Sequence, residues 1–227
     1  MKKDPTSLGK VAEVVQELER AIIFGKILPR QRITEDEIVY GLRVKRHVAR
    51  AALMELERLG MITREPFKGA TVRHFSRDEV RDLYEIREIL HRQAALRIRR
   101  QSDAEWIATL ERLQIEHERA VEGLNLVDVF NANKAFHSTL FQGTDNRYIA
   151  QAIEYSNALT HCIRSHGLKH RSYQEAACQE HRAMIEKIKA GDLEGLSELC
   201  IAHLQPARLY YEEKFCDPPE GMATEEA

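Results

Sequence analysis

The chain has 227 residues, a formal net charge of −2, and 11 Gly and 6 Pro. That length suits two domains of ordinary size, each with its own core. No apolar run approaches the ~20 residues of a membrane span. The start Met-Lys-Lys-Asp-Pro also lacks the apolar region of a signal peptide. Cys162, Cys178, Cys200 and Cys216 form no Cys-x-x-Cys pair, so reduced thiols in a cytoplasm and no membrane partner are expected. Residues 1–74 carry 15 Lys and Arg against 10 Asp and Glu, net +5, and residues 75–227 carry 19 against 26, net −7. A basic N-terminal part on an acidic remainder fits nucleic-acid binding by the former alone.

In chain order, residues 7–25 predict an amphipathic helix. Its apolar stripe is Val11, Val14 or Val15, Leu18, Ile22 and Ile23, and Gly25 ends it. Residues 28–33 read as an extended connection. Residues 34–40 predict a second helix, with Thr34 as N-cap and Glu37 three residues on, a capping-box signature. The short link 41–44 leads into a third helix over 45–59, on which Val48, Ala52, Leu56 and Leu59 face a core. Arg46 and Arg50 stack one turn apart on the far side, with Lys45 and His47 beside them. Two guanidiniums near a helix start can fork onto guanine edges or phosphates, although a solvated basic face has the same pattern. Gly60 is a C-cap candidate. Residues 61–64 and 70–73 are short alternating runs around a turn whose basic tip is Lys68 and Gly69. The whole reads as a winged helix-turn-helix with DNA-binding residues Lys45, Arg46, His47, Arg50, Lys68 and Gly69.

These residues resemble the GntR family of bacterial transcription regulators. Val44, Arg46, Arg50, Ala52, Leu53, Gly60, Gly69, Ala70 and Val72 match the family's recognition and wing pattern, while Lys45, Val48 and Ala51 depart from it. The family's Ser is missing at the start of the recognition helix, a cap typically worth ~1 kcal/mol. Lys45 is also unfavourable beside a helix N-terminus, and a docked phosphate would offset both effects. Residues 28–33 resemble the family's Gly-x-Leu-x-Pro-Gly connection with Arg30 in place of the last Gly, which leaves the form of that turn open.

Residues 74–78 form the boundary, and Ser76 with Glu79 is a second capping box. Helices are expected near 77–100, 103–122, 126–142, 145–166, 170–190 and 192–215, and a disordered tail over 217–227. The fold class is mainly α: a winged helix-turn-helix over 1–74 and an all-α effector-binding and dimerisation bundle over 75–216.

Three of these helices carry histidine on an apolar stripe. Asn133 and His137 lie one turn apart with Phe130, Phe136 and Leu140. His181 lies with Ala177, Met184, Ile185 and Ile188. His203 lies with Leu196, Leu199, Leu204 and Ala207. Any one of them can be a hydrogen-bonded core residue; together, three imidazoles and an amide around one metal would satisfy all four. No Glu or Asp accompanies the histidines on these stripes. Cys178 and Cys200, each three residues before a histidine, fit small buried hydrophobes or thiols near a metal.

The spacing Asn-x-x-x-His, Glu180-His181-x-x-Ile, Gly191-Asp192 and a late His203 resembles the FCD effector domain of FadR-type GntR regulators, over residues 8 to about 210. The resemblance implies an all-α bundle that holds a divalent metal, Zn, Ni or Mn, through His137, His181, His203 and Asn133, the last standing where the family often has Asp. It also implies a small carboxylate effector. Arg164 resembles the family's effector-binding arginine, with a surface or interface salt bridge as the other reading. Arg87, in a family-like stretch, is the second residue expected to bind the effector, and it faces the domain core or a domain interface. The expected function is a ligand-responsive transcription regulator, a repressor, acting as a homodimer on a palindromic operator. The alternatives are a metal-dependent enzyme using the three histidines to activate water, against which the missing acid counts, and a DNA-bound helical dimeriser without effector.

Overall fold

The computed structural model describes residues 5–65, 69–99, 103–167 and 169–216. The expected wing-tip residue Lys68 and the expected disordered tail lie outside the described residues. The chain forms two compact units, Met1–His74 with Asn157–Lys169, and Phe75–Ser156 with His170–Ala227. No described helix is long and apolar enough to cross a membrane.

The first unit opens with α1 (Pro5–Ile23), whose Val14, Val15, Leu18, Ile22 and Ile23 are buried while Val11 is half-buried. Helix α2 (Glu35–Gly41) has the expected capping box: Thr34 Oγ1 accepts from Glu37 N, and Glu37 accepts from Thr34 N at 2.7 Å. Helix α3 (Arg46–Arg58) starts at Lys45 without a side-chain cap, as the sequence implies. Val48, Ala49, Ala52, Leu53 and Leu56 face the core, and α3 packs on α1. The helix closes in a Schellman turn. Gly60 takes φ 72°, its N–H reaches Glu57 O, and Met61 N–H reaches Leu56 O.

The wing strands β2 (Ile62–Glu65) and β3 (Gly69–Val72) pair antiparallel with Ile62 opposite Val72 and Glu65 opposite Gly69. Gly69 begins β3 at φ 85°, a conformation that costs glycine little. The sheet has a third member that the sequence reading takes as plain connection: β1 (Arg32–Ile33) pairs with Thr71 and Ala70, giving the order β1-β3-β2. The turn before it keeps a left-handed residue although glycine is absent. Arg30 itself adopts φ 66°, and its N–H bonds Val72 O at 3.0 Å.

Residues 157–169 belong to this unit by packing, although the sequence reading counts them with the helical domain. A Cβ on Gly60 would come within 2.6 Å of Leu159 Cδ2. Helix α8 (His161–Gly167) packs on α1, with His161 Nδ1 at 3.3 Å from Glu19 Oε1. His166 on α8 is buried, and that burial, then Lys169, pulls its pKa from 6.5 to about 4. The unfolded chain therefore takes up a proton that the fold refuses. This contribution is complete above about pH 6.5 and is lost as pH falls toward about 4, by up to about 3 kcal/mol. His166→Gln should flatten that part of the pH dependence of thermal melting; an unchanged slope would exclude this ring as the titrating group.

The second unit contains α4 (Arg77–Ala95), α5 (Ala104–Glu122), α6 (Leu126–Gln142), most of α7 (Arg147–Leu159), α9 (Arg171–Lys189), α10 (Leu193–Ala202) and α11 (Gln205–Phe215). Ser76, Asp103, Asn125 and Asp192 cap α4, α5, α6 and α10, each accepting from a backbone N–H of the first turn. Trp106, Leu110, Phe136, Leu140, Met184, Ile188 and Leu196 meet in one core, with Cys200 among them. Two expected helices are each broken in two. The helix expected over 145–166 stops at Thr160, whose hydroxyl donates back to Asn157 O, a bond that competes with the helical ladder. The one expected over 192–215 breaks at His203 and Leu204, because Pro206 in the first turn of α11 cannot continue the preceding ladder.

Candidate functional site

Lys45, Arg46, His47 and Arg50 are all exposed at the start of α3. The two arginines are not simply solvated. Arg46 Nη2 reaches Asp36 Oδ1 at 2.5 Å, and Arg50 meets Glu35 through Nε at 2.9 Å and Nη2 at 3.2 Å. The first turn of α2 is acidic, and the helix-turn-helix brings it against the basic start of α3. The Arg50 guanidinium, ahead of the opposing effect of burial, holds the Glu35 carboxyl below its ordinary range. Such exposed pairs contribute little to stability, so phosphate or base edges can displace them.

The histidines assemble in the helical unit. His137 Nε2 lies 3.0 Å from His203 Nε2 and 3.1 Å from His181 Nε2, and one ligand atom from each ring falls within 4.8 Å of the others. The rings are fixed by packing, His181 stacking on Phe136 at 4.0 Å and His137 on Phe141 at 6.2 Å. Asn133 is half-buried one turn before His137. His203 stands at the break between α10 and α11 rather than inside a continuous helix.

Hydrogen bonds behind the rings decide which nitrogens face inward. Gln114 Nε2 donates to Cys178 O at 2.9 Å and to Glu118 Oε1 at 2.7 Å. Its Oε1 is thereby turned to His181 Nδ1 at 3.0 Å, so that Nδ1 carries the hydrogen. Glu180 Oε2 likewise accepts from His203 Nδ1 at 2.5 Å. Both Nε2 lone pairs therefore point at His137 Nε2, which can donate to only one of them. A cation at the convergence point resolves that conflict. Tetrahedral zinc with bonds near 2.0–2.1 Å places its nitrogens about 3.3 Å apart; the two separations from His137 Nε2, 3.0 and 3.1 Å, lie near that value and the whole set lies within 4.8 Å, so the donor set fits a divalent metal. Burial, then His203 and His117, holds His181 well below its ordinary pKa, so the ring is neutral, as a ligand must be.

Sequence reasoning missed Gln114, His117 and the role of Glu180. His117 is buried one turn after Gln114 on α5, with Nδ1 3.6 Å from Cys178 Sγ, and burial, then His203, pulls its pKa to about 4. The spacing Gln114-x-x-His117 on an otherwise apolar face was the available signal. Glu180 lies off the apolar stripe, on which no acid is expected, yet it reaches His203 from the edge of α9. The arginines assigned to the effector fall in different units. Arg87 is buried in the helical unit against the Tyr84 ring at 4.8 Å, and burial lowers its pKa. Arg164 groups with the winged unit and donates from Nη1 to Asn157 Oδ1 at 3.2 Å. All four cysteines are buried, and none is in a disulfide. Cys200 sits in the core with its thiol pushed up to about 12 by burial, the behaviour of a small hydrophobe.

Residues 10–72 match the bacterial regulatory proteins of the gntR family, and residues 82–206 match the FCD domain. The chain belongs to the GntR family. Like its relatives in that family, this GntR protein is a DNA-binding transcription regulator and not an enzyme. It is 26% identical over 188 residues to the HTH-type regulator YdhC of Bacillus subtilis, covering 82% of this chain and 84% of that protein. It is 25% identical over 193 residues to the HTH-type transcriptional repressor RspR of Escherichia coli, covering 85% of each. Among solved structures, a GntR regulator of Rhodococcus sp. RHA1 superposes with TM-score 0.73 at 18% identity, covering 91% of this chain and 99% of that one. E. coli McbR/YncC superposes with TM-score 0.71 at 19% identity, covering 90% and 98%. Both likenesses bear on the fold alone, the winged and helical architecture.

Proposed function

We propose that this GntR regulator is a cytoplasmic, metal-dependent repressor that releases or rearranges on DNA when a small organic acid binds its FCD domain. Recognition of a palindromic operator by a homodimer is assigned to Lys45, Arg46, His47, Arg50 and the wing at Lys68 and Gly69. The divalent metal, Zn, Ni or Mn, is assigned to His137, His181 and His203, with Asn133 as a neutral fourth donor. When bound, it supplies a positive Lewis-acidic centre for a carboxylate. The observation that carries this reading is the convergence of the three Nε2 atoms, two of them held lone-pair-inward by Gln114 and Glu180. A repressor rather than an activator is favoured by the likeness to RspR, which bears that description. Arg87 is the arginine that shares the bundle with the histidines.

Metal analysis of the purified protein, followed by a thermal-shift screen of organic acids with and without chelator, tests the reading. Bound metal and an acid-induced rise in melting temperature that chelation abolishes are expected. If no metal is retained after incubation with Zn, Ni or Mn, the histidines are a hydrogen-bonded core cluster and the metal reading is wrong.

A further inference from the structure

We propose, resting on the metal reading above, that Glu180 is a positioning residue that supplies, through His203, the negative charge that the ligand set lacks. Three imidazoles and the Asn133 amide are all neutral, so a divalent ion among them would sit in the bundle with its double charge uncompensated. Burying charge in that way is costly. A carboxylate one hydrogen bond behind a ligating imidazole lowers the cost by drawing the Nδ1 proton toward itself and making Nε2 a stronger donor.

The two rings with identified outer partners are not treated alike. His181 is backed by Gln114, an uncharged amide. Behind Gln114 stands Glu118, but Arg182 Nε lies 2.5 Å from its carboxylate and offsets it. His203 is backed by Glu180 directly. Among the described residues Glu180 has no Lys or Arg in ion-pair range, and its one charge partner is His203 Nδ1 at 2.5 Å. Its charge is therefore committed to the site. The placement follows from helix geometry: Glu180 and His181 are consecutive on α9, about 100° apart around the axis. His181 faces the core as a ligand, while Glu180 sits at the edge of the same helix, where the end of α10 presents His203. One helix thus provides one ligand and conditions another. Glu180 also remains 28% exposed, so its carboxylate keeps partial hydration.

The test uses the full-length protein. Glu180→Gln keeps an acceptor oxygen for His203 Nδ1 and removes only the charge. Zn(II) affinity, read by competition with a chromogenic chelator, should fall about 10- to 100-fold. The Co(II) ligand-field spectrum should still report the same three nitrogens, and the 15N shifts of His203 in the metal-free protein should still report the Nδ1–H tautomer. Asn133→Asp, which installs a carboxylate elsewhere in the site, should raise Zn(II) affinity more in the Glu180→Gln background than in the wild type. Wild-type binding with undiminished affinity in Glu180→Gln overturns this inference and leaves the metal reading intact. A weakened site that has also lost the His203 tautomer means that Glu180 orients the ring without supplying charge, and equally overturns it. A wild-type protein that takes up no metal overturns the metal reading and this inference together.

Discussion

On the proposed metal site, His181→Ala should abolish metal uptake by the helical unit and lower its melting temperature. His181 is fully buried, stacks on Phe136 at 4.0 Å, and is hydrogen-bonded to Gln114 and His137. Truncating a buried ring of this size leaves a cavity of the kind that costs roughly 2–5 kcal/mol. It also leaves Gln114 Oε1 without its donor, a further ~1–3 kcal/mol. Loss of one of three imidazole ligands should weaken metal binding on the order of 100-fold or more, exceeding the effect of losing an outer partner. Melting curves of both proteins with and without chelator separate the two parts. The difference between the metal-free forms gives the packing cost. The metal-dependent rise, which follows from binding to the folded state alone, should be present in the wild type and absent in the variant. Equal metal content in the two would remove His181 from the ligand set.

The double variant Arg46→Ala/Arg50→Ala should lose operator binding while keeping its fold. Each arginine that reads a guanine in bidentate fashion contributes roughly 10- to 100-fold to discrimination, and phosphate contacts would instead appear as a shallower salt dependence. Both side chains are exposed and sit outside the core formed by Val48, Ala52 and Leu56, so the melting temperature should hardly move. The pairing with Glu35 and Asp36 sharpens the expectation. Glu35→Gln removes the acid that holds Arg50 and assists in holding Arg46, and it should leave operator affinity equal or higher. The probe is a duplex enriched from random DNA by the wild-type protein. A folded double variant with wild-type affinity would show that recognition lies elsewhere on the winged unit.

Local chemistry made much of this architecture legible. Thr34 with Glu37, Ser76 with Glu79, and Gly60 each announced a helix end, because caps are satisfied within a few residues of chain. The three histidines were legible because each lies on an apolar stripe, and buried imidazoles require partners. What was not legible depended on residues far apart in sequence. Strand β1 is two residues long and exists only because β3 lies beside it. The partner of His181 comes from α5, 67 positions away. The role of Glu180 was not legible because periodicity places it off the inward face, whereas hydrogen-bond reach extends past the face. The α10–α11 break was written in Pro206 and was misread as a continuous helix. The break at Thr160 has neither Gly nor Pro to mark it.

The grouping of residues 157–169 with the winged unit has a consequence for how such regulators can be recombined. The backbone passes between the two units at 74–75, again at 156–157 and again at 169–170. A winged module cut out as residues 1–74 is therefore an incomplete part: it leaves behind Leu159, which covers Gly60, and His161, which faces Glu19. Exchange of DNA-reading heads between homologues, by evolution or by gene fusion, has to carry a matching internal splice as well as the N-terminal piece. Chimeras joined at a single point near residue 75 would inherit a mismatched seam under the end of the recognition helix.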